Sequence, residues 1–337
     1  MTPRYHGVHI RVPATTANLG SGFDTMGLAL DFHDELDFTV SDDGMRHDVS
    51  VDIQGEGEQT LPRDETHLVV SSFRKACQTL GLGRLGLTLH ARNRIPQARG
   101  MGSSAEAIVA GIAAAMAIIE GEDCDRQTLF ELAAAIEGHP DNVAPAVFGG
   151  LTSSWRLEMP EGSGALAIPD GEPLSGGFHV VRYPVDERIE VSVFVPDFAL
   201  STERARRALP ETVPYRDAVF NVSRAALLPA AFHPQGMRSG DDANALLFAA
   251  TQDRLHQRYR SGLMADSWAL IQLLRAHGFA AAVSGAGPCV LVLHYGSARE
   301  RTQETIDHIA SQQLSSRHWR VLHLPVDHAG VTITVTE

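Results

Sequence analysis

Residues 8–12, Val8-His9-Ile10-Arg11-Val12, alternate apolar and polar side chains with the period of a half-buried strand. The alternation stops at Pro13, and the small-residue stretch through Asp24 predicts that the strand enters a loop. Further period-two runs at 36–40, 48–53 and 85–90 place a sheet in this half of the chain. Helical spacing takes over at 66–80, where Leu68, Val69, Phe73, Ala76, Cys77 and Leu80 recur at helical intervals before Gly81 and Gly83. Residues 105–119 are apolar on nearly every face, as in a helix buried between a sheet and other helices. A second helix is predicted over 128–136, with Thr128 as its cap and Gly138 and Pro140 as its stop.

In the second half, 190–195 alternates as a strand. Ser201-Thr202 caps an arginine-rich helix reaching Leu209, and helical spacing returns at 217–228, 241–255 and 264–277. Two apolar runs then flank the glycine loop Ser284-Gly285-Ala286-Gly287-Pro288. Strands and helices mix in both halves, so the fold class is α+β. The segment 160–177 is rich in glycine, proline and acid, which marks a linker or a long hairpin loop. The domain boundary is placed there, giving an N-terminal unit at 1–175 and a C-terminal unit at 176–337.

The buried helix is preceded by Pro96-Gln97-Ala98-Arg99-Gly100-Met101-Gly102-Ser103-Ser104-Ala105-Glu106. Glycines, two hydroxyls and a helix N-terminus with free N–H groups form a cradle for phosphate. A glycine-rich cap on a buried helix with no ligand looks the same, so other residues must decide. The dinucleotide-binding form requires a strand directly before the loop and an acid on a second strand about 20 residues later, and neither is present. The Walker loop requires a lysine after its last glycine, and Lys75 is the chain's sole lysine. Phosphoryl transfer here would therefore use backbone amides, arginine and metal.

Composition narrows the partners. A formal net charge of −13 argues against nucleic acid and anionic membranes. The longest apolar run, 107–119, is too short to span a bilayer. Cys77, Cys124 and Cys289 are widely spaced with no C-x-x-C pair, which fits a reducing cytoplasm and no zinc site. No signal-peptide pattern opens the chain.

Three separated stretches, VPATTANLGSGFD at 12–24, RGMGSSAEA at 99–107 and SGAGP at 284–288, together resemble the GHMP family of small-molecule kinases, which includes galactokinase, homoserine kinase, mevalonate kinase and phosphomevalonate kinase. Within that family, Asn18 with Asp24, EGHPDNVAP at 137–145, and Leu200-Ser201-Thr202 with Arg206 and Leu209-Pro210 resemble the homoserine kinases specifically. The resemblance implies an N-terminal domain like ribosomal protein S5 domain 2 and a ferredoxin-like C-terminal domain. It implies ATP with Mg²⁺, transfer to the side-chain hydroxyl of L-homoserine in threonine biosynthesis, and a possible homodimer. A sister kinase acting on mevalonate-like or sugar alcohols, or a non-catalytic regulator of the same fold, remains an alternative.

The resemblance also implies roles. The loop from Pro96 to Glu106 holds the ATP phosphates, and Ser104 and Glu137 hold the metal, whose preference is for oxygen ligands. Asp24 suits the acceptor's ammonium, and Arg206 or Arg260 suits its carboxylate. Asn18, His139 and Asn142 orient the hydroxyl end. Asp141 is the candidate base, although in such kinases the phosphate itself can receive the proton. Met101 stands where leucine is usual, and His67 where an asparagine often faces adenine. Glu106 replaces a small residue, and its charge would repel phosphate unless it points away or toward metal.

Overall fold

The first strand, β1 (Gly7–Asn18), does not stop at Pro13. Its pairing with β2 (Gly22–Ser41) shifts register between Pro13 and Ala14, and that bulge absorbs a residue with no N–H to give. The expected loop thus shrinks to a turn at Leu19–Ser21. The computed structural model describes residues 2–41, 48–160, 164–234, 240–296, 299–314 and 319–336.

Strand β3 (Val49–Gly55) leads through α1 (Leu68–Thr79) to a parallel partner, β4 (Gly86–Asn93). Helices α2 (Ser103–Glu120), α3 (Arg126–Glu137) and α4 (Val143–Phe148) follow, then β5 (Leu151–Leu157). The cap of α3 is Asp125, which accepts the N–H groups of Gln127 and Thr128. Thr128 is not the cap, because its hydroxyl also donates to Asp125, and a carboxylate two or three residues upstream reaches those amides better. Helix α2 begins before the apolar run, and its full length and composition would suffice to cross a membrane. It is instead mostly buried inside the protein.

A short hairpin, β6 (Ala165–Leu166) and β7 (Leu174–Ser175), precedes β8 (Gly177–Tyr183). Because β8 pairs with β5 along its length, Leu157 opposite Gly177, the 160–177 segment is the long connection of a hairpin. Residues 161–163 of it lie outside the described residues. The chain later returns to this sheet through β13 (Thr332–Thr336), which pairs with β1, so seven strands form it.

The second sheet contains β9 (Ile189–Pro196), β10 (Ala280–Val283), β11 (Val290–Tyr295) and β12 (Trp319–Leu324), in the order β10-β11-β9-β12. Between β9 and β10 run α5 (Thr202–Arg207), α6 (Tyr215–Ala225), α7 (Leu228–Phe232), α8 (Gly240–Ala250), α9 (Gln257–Arg260) and α10 (Ala265–Ala276). Helix α11 (Arg299–Leu314) joins β11 to β12. Taking α10 and α11 as the two crossovers, this is the ferredoxin-like βαββαβ order.

Alternation along the strands sorts their side chains into three cores. Val12, Leu36 and Phe38 pack with α1 to α4 in the first. Further along the same strands, Ala14, Leu28 and Leu30 meet Val191, Val193 and Leu291 of the second sheet in a core shared by both domains. The opposite face of that sheet, with Phe194, Val290 and Val292, packs on α10 and α11. The two long strands therefore tie the domains together, and their far ends deliver Asn18 and Asp24 to the seam.

Candidate active site

One cavity of about 340 Å³ lies at that seam, lined from both domains. Its wall includes Gln97, Ala98, Gly100, Gly102, Ser103, Ser104 and Glu106 of the loop, and Asn18, Asp24, Glu137, His139, Asp141, Asn142, Arg206 and Arg260. Of the expected phosphate-loop residues, Pro96, Arg99, Met101 and Ala105 stand off its wall. Arg99 spends its guanidinium on the carbonyls of Pro196, Gln97 and Asp197, which clamps the loop to the end of β9. Met101 and Ala105 are fully buried in the cores.

Helix α2 starts at Gly102 with no side-chain cap, so its first amides and dipole face the cavity. The two loop glycines have structural reasons beyond close approach to an anion. Gly100 and Gly102 have φ of 84° and 75°, and a Cβ would strike the Ser284 carbonyl at one and the Thr15 hydroxyl at the other. Ser284 is the brace, donating to the Gly100 carbonyl (2.6 Å), while Cys289 N–H donates to the Arg99 carbonyl (3.1 Å). The SGAGP loop thus holds the phosphate loop and the end of β1 together.

At the mouth of this cradle, Ser104 Oγ donates to Glu137 Oε2 at 2.7 Å. Burial raises the Glu137 pKa, and the Ser104 hydrogen bond opposes that only in part. Glu137 ends α3, and Gly138, with φ 87°, turns the chain so that His139 and Asp141 follow it into the cavity. His139 Nδ1 lies 3.1 Å from Asp141 Oδ1, and its Nε2 lies 3.8 Å from Glu137. Burial disfavours its imidazolium, but the Asp141 bond and the two carboxylates outweigh that and raise its pKa. Asp141 Oδ1 also accepts the Asn142 N–H (3.0 Å), and Asn142 Oδ1 accepts from Thr15 (2.9 Å).

Across the cavity, Arg206 binds Asp24 through two parallel hydrogen bonds of 2.8 Å. The two groups expected to divide the acceptor's charges are therefore paired with each other here. The Asp24 bonds raise the Arg206 pKa. Asn18 donates to the Gly285 carbonyl (2.8 Å) and accepts the Asp24 N–H (2.9 Å), so both glycine loops and the acceptor turn are one network. Arg260 is buried on the same wall, and desolvation lowers its pKa to about 10.

Glu106 stands in the cavity wall, but its carboxyl is held beside that of Asp34. It is buried against Asp34, and burial with that neighbouring carboxyl raises its pKa well above the ordinary value. Burial lifts Asp34 to about 6 even though its Oδ1 accepts the Arg94 and Ile95 amides at 2.5 and 2.8 Å. Asp34 Oδ2 and Glu106 Oε1 have no donor in the protein, which two buried carboxyls tolerate by sharing a proton. Glu106 therefore does not set its charge against the loop. His67 also lines the cavity with both ring nitrogens unpartnered, and burial lowers its pKa and keeps it neutral.

The sequence motifs contain Thr15, Ser284 and Leu200, but no site role was expected of them; the Leu200 N–H donates to the Ala98 carbonyl at 2.9 Å. A buried threonine or serine bonded across more than a hundred residues leaves no periodic trace.

An uncapped helix N-terminus, a serine–carboxylate pair and an acceptor wall at a domain seam define a small-molecule kinase. Residues 67–150 match the family model described as GHMP kinases N terminal domain, and 234–311 match GHMP kinases C terminal. The chain belongs to the GHMP kinase family. It is 44% identical over 327 residues to the homoserine kinase of Leifsonia xyli subsp. xyli, covering 97% of this chain and 91% of that one. It is also 44% identical over 331 residues to the homoserine kinase of Clavibacter michiganensis subsp. michiganensis, covering 98% and 95%. The crystal structure of homoserine kinase from Cytophaga hutchinsonii shares the fold with a TM-score of 0.77 at 22% identity, covering 99% of each chain.

Proposed function

We propose that this protein is a homoserine kinase, transferring the γ-phosphoryl group of ATP to the side-chain hydroxyl of L-homoserine on the route to threonine. The observation that carries the reading is the 2.7 Å Ser104–Glu137 pair at the uncapped start of α2, facing Asp24, Arg206 and Arg260 across one cavity. Relatives 44% identical over nearly the whole chain support the same substrate.

The amides opening α2 bind the phosphates, and the dipole of an 18-residue helix favours their charge in a protein whose net charge is negative. The Ser104 hydroxyl and the Glu137 carboxylate are hard oxygen donors that fit Mg²⁺, which when bound neutralises charge on the transferring group. Asp24 receives the ammonium and the arginines the carboxylate, so a zwitterion replaces one internal ion pair with two. Asn18 and the Asn142–Thr15 pair orient the hydroxyl end. As the new O–P bond forms and the bond to the leaving ADP oxygen breaks, the hydroxyl proton passes to Asp141. Its Oδ1 is held by His139 and the Asn142 N–H, while no hydrogen bond among the described residues engages Oδ2.

The reading is tested by following ADP release with ATP, Mg²⁺ and a panel of L-homoserine, L-serine, L-threonine and mevalonate. L-homoserine should give the highest kcat/KM, and no release with it defeats the proposal. Asp141→Asn should lower kcat about 10²-fold or more. If it keeps most of the turnover, Asp141 positions and does not act as base. We further infer a cytoplasmic location from the three unpaired, buried cysteines.

A further inference from the structure

The acceptor wall contains a cation that makes no hydrogen bond to a carboxylate among the described residues. Arg260 is 2% exposed, and its Nε donates to the Ala205 carbonyl at 3.3 Å and its NH1 to His256 Nδ1 at 3.2 Å. The guanidinium carbon lies 5.2 Å from the Phe23 ring centroid. Both acceptors are neutral, and they use two of the five N–H groups a guanidinium carries. The remaining ones are available to a carboxylate entering the cavity that Arg260 lines.

The group that holds this cation is the imidazole of His256, which is 0% exposed. A guanidinium has no lone pair to offer, so the nitrogen facing it must be bare. Nε2 therefore carries the hydrogen, and it lies 2.7 Å from the Gly20 carbonyl. Burial lowers the ring's pKa, in keeping with the neutral form. Phe23 stacks on the ring at 4.9 Å. Asp253 is farther from Nε2, at 3.7 Å, and its oxygens are taken by the amides of Leu255, His256 and Gln257.

The carbonyl at the other end of this bridge belongs to a strained turn. Asn18, Leu19 and Asp24 have φ of 72°, 47° and 55°, and leucine is a costly residue to hold there. Ser21 and Asn221 pin the same turn, through Ser21 Oγ to the Ala250 carbonyl (2.6 Å) and Asn221 Nδ2 to the Ser21 carbonyl (2.9 Å).

We propose that His256 is the positioning residue of the acceptor site: one neutral imidazole links the Arg260 guanidinium to the Gly20 carbonyl, fixing the carboxylate-binding arginine relative to the turn that presents Asn18 and Asp24. The inference rests on the homoserine kinase reading and on Arg260 as a partner of the acceptor's carboxylate.

Two substitutions separate the ends of the bridge. His256→Gln keeps a donor where Nε2 was and removes the acceptor for Arg260, while His256→Asn keeps an acceptor where Nδ1 was. His256→Gln should raise KM for L-homoserine about tenfold, the worth of a hydrogen bond to a charged group, and leave KM for ATP unchanged. His256→Asn, which cuts the link to the Gly20 carbonyl, should raise the acceptor KM by a similar factor at unchanged KM for ATP. Unchanged acceptor KM in either variant, or both KM values rising together, would overturn the inference. Arg260→Gln is measured beside them. If it leaves the acceptor KM unchanged, the role of Arg260 falls and this inference with it. If it raises KM while His256→Gln does not, His256 alone is refuted. Should the variants not fold, ¹⁵N imidazole shifts of the wild-type protein decide: Nδ1 bare and Nε2 protonated at neutral pH is required, and the opposite tautomer refutes the bridge.

Discussion

The two walls of the cavity are built differently. The donor wall is a continuous stretch of chain, residues 97–106, whose working groups are backbone amides at one helix end. The acceptor wall is assembled from side chains far apart in sequence, with Asp24 reaching Arg206 across 182 residues and His256 reaching Gly20 across 236. Amides need little support beyond the helix that orders them. Side chains need partners, and on the acceptor wall the cavity's polar groups bind one another. The donor wall should therefore fail by losing the few groups proposed to hold metal, and the acceptor wall by losing any member of a network.

The largest effect expected is on the donor side. Ser104→Ala and Glu137→Ala should each lower kcat on the order of 10²- to 10³-fold, the loss seen when a group stabilising transition-state charge is deleted. A near-normal rate in either removes the metal assignment and with it the contrast between the walls. Next, Arg206→Gln and Asp24→Asn should each raise KM for L-homoserine roughly 10- to 100-fold at constant KM for ATP, since each leaves the partner charge unmatched. The double variant should lose less than the product of the two, which a double-mutant cycle would measure.

Gly102→Ala sharpens the comparison at smaller amplitude. It forces a side chain into the left-handed region and toward Thr15, which costs about 1–2 kcal/mol and should lower Tm by a few degrees. The smallest effect concerns Asp34 and Glu106, whose folded pKa values are raised by burial. The native state keeps a proton that the unfolded chain releases, so the Asp34 contribution to stability is complete below about pH 4 and is lost as pH rises through about 6. Glu106→Gln, whose amide donates without a shared proton, should give a flatter Tm against pH over that window in thermal melts.

Most of the donor wall was legible in the sequence because its elements are local. The apolar stretch after Ser104 announced α2, and the glycines announced its entrance. Strand patterns also held where one face is buried and the other wet. They failed at Pro13, where β1 continues as a bulged strand covered on both sides and alternation disappears. The residues 160–177 read equally as linker or loop, and only the pairing of β5 with β8 decides between them. On the acceptor wall, Asp24, Arg206 and Arg260 were reached through family resemblance. The Asp24–Arg206 ion pair and the His256 bridge follow from long-range docking of the second domain, which no local spacing encodes. The direction of Glu106 was likewise hidden, because it depends on Asp34 in a strand 72 residues away.

Helix α2 carries a liability along with its amides. Were the domain to open, residues 103–120 would release a segment apolar enough to be mistaken for a membrane anchor, with the stickiness that chaperones and aggregates both exploit. A ligand seated at its first turn binds only the closed form and so makes that release rarer. A nucleotide bound there as proposed would thus prolong the life of the folded chain as well as supply its phosphoryl group.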